Sequence, residues 1–386
     1  MSPAPAANAS SQRKRTAADI ARELVAALAP RGNETTDEDR FVAENFALLK
    51  ASGLIEAGVP VELGGGDANV DELAEMLKIL ARHCGSTALA FSMHTHQVAV
   101  TAWRWRQQKA AAAESLLKRV VLERIVLISS GGSDWIPGSG TAEKVDGGYR
   151  ITARKAFASG APAGDLFLTS ALVAAKTEAA TTVLHFAVPM DSPQVKVLDT
   201  WRALGMRGSG SHDIVIDGYF LPEAAILVCR KGGEWHPLFH AIGTIAFPLI
   251  YAVYLGVAES ARDIAIELAK RKQSEHQSLQ IAGRMDTELT AARLAHQSML
   301  AAARLNAPSA GSVNQVMIGR QLVERHAIAT VDYALQLAGG AGFYRSNGLE
   351  RRFRDIQGAR YHPLQSGSQA RYSGAMALGL PVDHIF

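Results

Sequence analysis

The spacing of apolar positions changes twice along the chain. From Thr16 to about Leu122 apolar residues recur at helical intervals, as in Leu73, Leu77 and Leu80 with Ile79 beside them. Residues 53–66 break this pattern, because Pro60 and the run Gly64-Gly65-Gly66 cannot continue a helix; an ordered loop is predicted, with a new helix starting near Asp71. From about Glu123 to Gly233 the period becomes two. Tyr149, Ile151 and Ala153 alternate with Arg150, Thr152 and Arg154 after the turn Asp146-Gly147-Gly148, and Ile214, Ile216 and Gly218 alternate with Val215, Asp217 and Tyr219. Residues 165–173 and 181–188 read as two further strands. From about Pro237 to Leu380 the helical period returns. Val323, Ala327, Val331, Ala334 and Ala338 share one face, and a break at 306–311 separates two helices.

Helices, then strands, then helices define an α+β plan without internal repeats. The expected organisation is a disordered tail over 1–15, a helical N-terminal domain over 16–122, a compact antiparallel β domain, closed or sandwiched, over 123–233 and an up-and-down helical bundle over 234–386.

Composition narrows the function. The 386 residues can build two or three packed domains. Lys and Arg number 40 against 37 Asp and Glu, but Arg13, Lys14 and Arg15 are the only charges before Asp19, and the rest of the chain is balanced. No net-positive field is left for a phosphate backbone, so nucleic-acid binding is not expected. Cys84 and Cys229 cannot form a disulfide framework and lack zinc spacing; both are expected to be buried, reduced thiols. No apolar run is expected to be long enough to cross a bilayer, and the N-terminus lacks the apolar core of a secretory signal, so a cytoplasmic protein is expected. The acid-free segment 1–15 fits a frayed tail better than a transit peptide.

Recognisable motifs stand in all three zones. They are Val59-Pro60-Val61-Glu62-Leu63-Gly64-Gly65 with the helix 81–90, then Gly132-Ser133-Asp134, Gly148-Tyr149-Arg150-Ile151, Lys155-Ala156-Phe157-Ala158-Ser159-Gly160, Leu204-Gly205-Met206-Arg207-Gly208-Ser209 and Leu221-Pro222. Gln336-Leu337-Ala338-Gly339-Gly340-Ala341-Gly342-Phe343 and Leu349-Glu350-Arg351-Arg352-Phe353-Arg354-Asp355 complete the set. Together these motifs resemble those of the acyl-CoA dehydrogenase superfamily of flavoproteins. The resemblance implies an α+β fold of a helical N-terminal domain, a central antiparallel β-barrel and a C-terminal four-helix bundle, with a flavin between barrel and bundle, and a homotetramer. It implies that Phe157 packs on the flavin ring, that Ser159 bonds the flavin, and that Ser130 and Ser133 lie at its edge, although turn serines commonly just satisfy backbone groups. Gln336, Gly339, Gly340 and Gly342 would meet a phosphate, where glycine lets backbone N–H groups approach; the plainer role of such a cluster is a helix cap. Arg271 matches the start of a family element that contacts adenosine in a neighbouring subunit, but Gln273-Ser274-Glu275-His276 replaces its aromatic and glycine. FMN, or FAD held loosely in its reduced form as a co-substrate, is therefore as compatible as tightly bound FAD.

A dehydrogenase of this superfamily removes an α-proton with a carboxylate while a hydride passes to flavin. Neither of the two segments where the family places that acid has one: residues 356–382 lack Asp and Glu, and residues 235–258 do so too, with Ala246 near the expected position. The pattern is similar to the monooxygenase branch, which includes dibenzothiophene monooxygenase and two-component phenol hydroxylases. That likeness implies reduced flavin from a separate reductase, O2, a C4a-hydroperoxide and a small apolar or aromatic substrate. It also implies histidine donors, matched by His362 and by His94 or His96. As a metal pair His94-x-His96 lacks a third ligand at suitable spacing, and no metal site is expected. Two other functions fit the missing acid: an acyl-CoA dehydrogenase or oxidase with a displaced base, and a catalytically silent binding or scaffold protein.

Overall fold

A computed structural model describes residues 15–34, 39–132, 134–173, 181–271, 276–383 and 385. Nearly all of the expected tail, Ser133 and residues 272–275 fall outside the described residues. Five helices come first: α1 (Ala17–Glu34), α2 (Ala43–Ser52), α3 (Val70–His83), α4 (Gly85–Gln108) and α5 (Ala111–Glu123). The start of α3 is fixed by a reciprocal cap, in which the Asn69 side chain accepts from the amides of Asp71 and Glu72 while the Glu72 carboxylate accepts from the Asn69 amide. Leu73, Leu77, Ile79 and Leu80 then face the core. The segment before α3 is an ordered loop with one short turn of 3-10 helix at Val61–Leu63. A side chain at Gly65 would put its Cβ 2.2 Å from the Val59 carbonyl oxygen, so only glycine lets the loop fold back on itself.

Eight strands follow: β1 (Leu127–Ser129), β2 (Thr141–Val145), β3 (Gly148–Lys155), β4 (Leu166–Val173), β5 (Thr182–Pro189), β6 (Val195–Val197), β7 (Ile214–Pro222) and β8 (Val228–Lys231). They run in the order β6-β7-β3-β2-β4-β5-β8, with β1 also paired to β4. Two features correct the sequence reading. The pairs β1–β4 and β2–β4 are parallel, so the sheet is mixed. It is also open, with β6 and β8 at its two ends rather than joined as a barrel. The predicted alternation holds through β3, but in β7 it slips. Ile151 faces Tyr219 while Ala153 faces Ile216, a bulge at Asp217 and Gly218 that puts Leu221, two residues after Tyr219, back in the core. Cys84 is buried but Cys229, on the edge strand β8, is exposed.

The last part of the chain is helical: α6 (Pro237–Lys270), α7 (His276–Arg304), α8 (Ala310–Ala338), α9 (Leu349–Ile356) and α10 (Ser366–Ala377). Three of these are long, and α8 presents the predicted face of Val323, Ala327, Val331, Ala334 and Ala338 to the core. The expectation that no apolar run is long enough for a bilayer is corrected by α6, which meets that test in length and composition; 94% of its most apolar window is buried within the protein, as in a core helix.

Sheet and bundle are locked where residues 204–206 lie on α9. The Asp355 carboxylate accepts the Met206 amide at 2.5 Å, and a Cβ on Gly205 would fall 2.0 Å from the Arg354 carbonyl oxygen. Backbone cannot yield to that overlap as a flexible side chain could. Gly205→Ala is expected to destabilise the fold by about 2–4 kcal/mol, read as a lower urea midpoint at unchanged slope; an unaltered midpoint would show that the loop is not held there.

Candidate active site

A cavity of about 630 Å³ lies between sheet and bundle. Two helix stripes wall it. On α6 the lining residues Leu238, Ile242, Ala246, Ile250 and Tyr254 recur every four positions, and on α4 Leu89, Met93, His96, Gln97, Val100 and Arg104 do the same at intervals of three and four. The opposite wall comes from the sheet. Phe157 and Ser159 follow β3, and Ser130 follows β1, where the parallel pairing with β4 puts its hydroxyl 3.0 Å from that of Thr169. Residues 357–363 close one side.

Phe157 has a left-handed backbone, φ +57°, and its side chain is 55% exposed at the cavity, edge-on to Trp201. Two contacts hold this costly conformation: the Ala158 amide donates to the His212 carbonyl, and the Gly160 amide to that of Ser209. Below it Ser159, Ser211 and Ser209 form a chain of hydroxyls with 2.7 Å steps. Asp134, of the predicted Gly132-Ser133-Asp134 motif, receives Lys155 at 3.0 Å, and the same ammonium donates to the Ser139 hydroxyl and carbonyl. Burial opposes the Asp134 charge, but Lys155 and Ser139 outweigh it and hold the carboxyl below the usual range.

The three candidate histidines separate. His94 and His96 are two positions apart on α4 and so point to different sides of the helix. His96 lines the cavity, one ring nitrogen on the Ser92 carbonyl. His94 does not line it, which corrects its assignment as a flavin-facing donor. Its Nε2 pairs with the Ile55 carbonyl at 2.8 Å and its Nδ1 accepts the Leu127 amide at 3.0 Å, so both nitrogens are spent on tying the 53–66 loop and β1 to α4. Burial lowers the pKa of both rings to about 4.

His362 lines the cavity from the other side, its Nε2 2.6 Å from the Tyr254 hydroxyl. Burial first, then Arg320 and His96, hold it down to about 3, while burial drives the Tyr254 phenol well above its ordinary value. Both are therefore neutral near pH 7. When Tyr254 donates to Nε2 the ring proton sits on Nδ1, which has no protein partner among the described residues.

The sequence reading missed the groups that position this ring. Arg320, completely buried on α8, donates to the carbonyls of His362 at 2.8 Å and Ala359 at 3.2 Å, and the Tyr251 hydroxyl donates to the Ala359 carbonyl at 2.6 Å. The available signal was a lone arginine in the apolar stretch 316–323 and, for the contact to the ring itself, Tyr254 continuing the four-residue stripe of α6.

Gln336, Gly339, Gly340, Gly342 and Arg271 are not among the residues that line this cavity. Gly339 ends α8 with φ +58°, Gly342 packs on Leu335, Ala338 and Leu349, and Arg271 is exposed at the end of α6. Gly339 caps α8, and Gly340 and Gly342 lie in the 3-10 turn that follows it.

A mixed sheet thus sits between helical layers, with a cavity at their junction walled by an aromatic and hydroxyls from the sheet. Three domain models match in chain order: acyl-CoA dehydrogenase N-terminal domain over residues 11–118, middle domain over 129–219 and C-terminal domain over 249–366. The chain belongs to the acyl-CoA dehydrogenase superfamily. It is 30% identical over 394 residues to L-evernosamine nitrososynthase of a Micromonospora species, covering 94% of this chain and 91% of that one. An acyl-CoA dehydrogenase of Bacillus subtilis matches at 25% over 346 residues, 88% and 90% of the two chains. Among solved structures, KijD3 in complex with FMN and dTDP-3-amino-2,3,6-trideoxy-4-keto-3-methyl-D-glucose is similar with a TM-score of 0.85 at 28% identity, over 96% of each chain.

Proposed function

We propose that the protein is a flavin-dependent monooxygenase that uses reduced flavin and O2 on a small, largely apolar substrate. One observation carries this reading: where a dehydrogenase needs a free carboxylate, the cavity presents Ala246 and His362, and the two carboxylates in its wall, Asp134 and Asp213, are held by Lys155 and Arg154. Among the described residues no unpaired carboxylate lines the cavity to take an α-proton.

The residues suit a flavin. A cavity of this volume is within the usual range for a cofactor or ligand site. Phe157 offers a flat apolar face, and Ser130, Thr169 and the Ser159 hydroxyl chain offer partners for the polar edge of the ring. A second cavity of about 260 Å³ shares Gly132, Trp135, Tyr361 and Pro363 with the first and reaches Ser368 and Arg371, a hydroxyl and a guanidinium suited to the FMN phosphate. FAD would extend further, and Arg271, Gln336, Gly339 and Gly340, all exposed, would serve it only from another subunit of a homotetramer.

Reduced flavin supplies the electrons that divide O2 between substrate and water; a separate reductase would renew it. Nδ1–H of His362 can donate to what occupies the cavity while Tyr254 holds the opposite nitrogen, and a neutral ring relays a proton without placing a charge in an apolar site. The apolar stripe of α6 disfavours water beside the flavin, where it would divert the electrons into peroxide. Nitrogen is the favoured target atom, since a nitrososynthase is among the relatives, so amines lead the substrate panel.

Two measurements test this. Oxidised, flavin-loaded protein mixed without oxygen with a panel of acyl-CoA thioesters is expected to keep its flavin absorbance; bleaching would establish a dehydrogenase instead. With reduced flavin and ¹⁸O2, product is expected to carry one labelled oxygen atom. No labelled product from any flavin, reductase or substrate would favour a silent binding protein.

A further inference from the structure

Four side chains of fixed charge line the main cavity: Arg104, Asp134, Arg202 and Asp213. Three have a counter-charge, Asp134 with Lys155 at 3.0 Å, Arg202 with Asp199 at 2.8 Å and Asp213 with Arg154 at 2.7 Å. Arg104 stands apart. Its side chain makes one hydrogen bond among the described residues, a long 3.4 Å donation from Nε to the Gln108 side-chain oxygen, and its two terminal nitrogens are left over. The residue is half-buried, and burial alone lowers its pKa, with no carboxylate to offset the cost. A partly desolvated guanidinium kept without a counter-charge costs stability, and its planar fork matches a carboxylate or phosphate two bonds at a time.

Arg104 also has a defined place. It follows His96, Val100 and Thr101 on the cavity side of α4, eight residues after His96, or about 12 Å along the helix axis. The side chains of Leu238, Ile242, Ala246 and Ile250 on α6 give the same cavity an apolar wall.

We propose that Arg104 anchors an oxyanion, carboxylate or phosphate, at one end of an otherwise apolar substrate whose reacting atom lies roughly 10 Å away, near His96 and His362. The reacting end of this statement rests on the oxygenase reading above; the anchor itself is tested by binding alone.

Calorimetric titration of the FMN-loaded protein with 2-naphthoate and its neutral counterpart 2-naphthamide is the direct test, with 2-naphthyl phosphate as a second oxyanion. The wild type is expected to bind naphthoate about tenfold more tightly than naphthamide. Arg104→Gln is expected to remove that preference while leaving naphthamide affinity unchanged, and Arg104→Lys to retain part of it; naphthyl phosphate should follow naphthoate. Arg106→Gln is the control, because Arg106 is an exposed neighbour paired with Asp67. Its preference should be intact. The proposal is overturned if the wild type binds acid and amide equally, if Arg104→Gln keeps the preference or weakens both ligands alike, or if Arg106→Gln abolishes it too. An Arg104-dependent preference in a protein that fails the isotope assay would retain the anchor and discard the oxygenase; labelled product without the preference would do the reverse.

Discussion

His362→Ala is expected to lower oxygenated product per reduced flavin by about 10²-fold or more, the range for losing one positioned proton donor, with hydrogen peroxide rising in its place. The assay is run on the substrate that the isotope experiment identifies. Flavin affinity and thermal midpoint should change little, because the clamp on this segment uses the backbone carbonyls of Ala359 and His362 rather than the imidazole. Tyr254→Phe separates orientation from donation. It keeps the ring packing, removes the 2.6 Å contact to Nε2, and should cost about tenfold while His362 remains. Unchanged oxygenation in His362→Ala would eliminate the proposed donor outright.

The second large effect is in acid. Burial holds His94 and His96 down to about 4 and His362 to about 3, whereas in the unfolded chain each takes up a proton near pH 6.5. The unfolded state thus binds more protons between these values, so stability is full above about pH 6.5 and falls as the pH drops toward 4. Each histidine costs up to about 1.4 kcal/mol per pH unit in that window, or about 2 kcal/mol by pH 5. His185, which burial and Arg230 hold down to about 3, steepens the same acid limb. Urea unfolding at a series of pH values from 7.5 to 5 should show this slope. His94→Gln is expected to lower stability at neutral pH by removing two backbone partners, and to reduce the acid slope by about one proton. An unaltered slope would mean that His94 is not buried neutral.

Much of this was legible in the residues. The α3 and α8 stripes, the 53–66 loop and the strands over 165–173 and 181–188 follow from local periodicity and turn chemistry, which need no partner to be read. The sheet was less accessible: β1 is three residues long, and its parallel pairing with β4 depends on segments far apart in sequence. Gly218 carried the β7 bulge, but a single glycine does not announce which face the strand resumes on. At the site, the missing carboxylates and His362 were visible as types at positions. Tyr254 and Arg320 were not, because one reads as an ordinary stripe residue and the other as a solvated charge until α6 and α8 close on the 357–362 segment. His94 and His96 look equivalent on paper; only the helical rotation between them assigns one to the fold and the other to the cavity.

The Asp355 bond to the Met206 amide gives the junction of sheet and bundle a gauge. This amide lies inside neither layer's own hydrogen-bond ladder, so its exchange with solvent deuterium reports the separation of the layers rather than the fraying of either. Residues 201–206 also line the cavity, so each opening that exposes Met206 unseats a wall of the site. Amide exchange at Met206 and escape of a ligand from the cavity are therefore expected to quicken together when this junction is loosened.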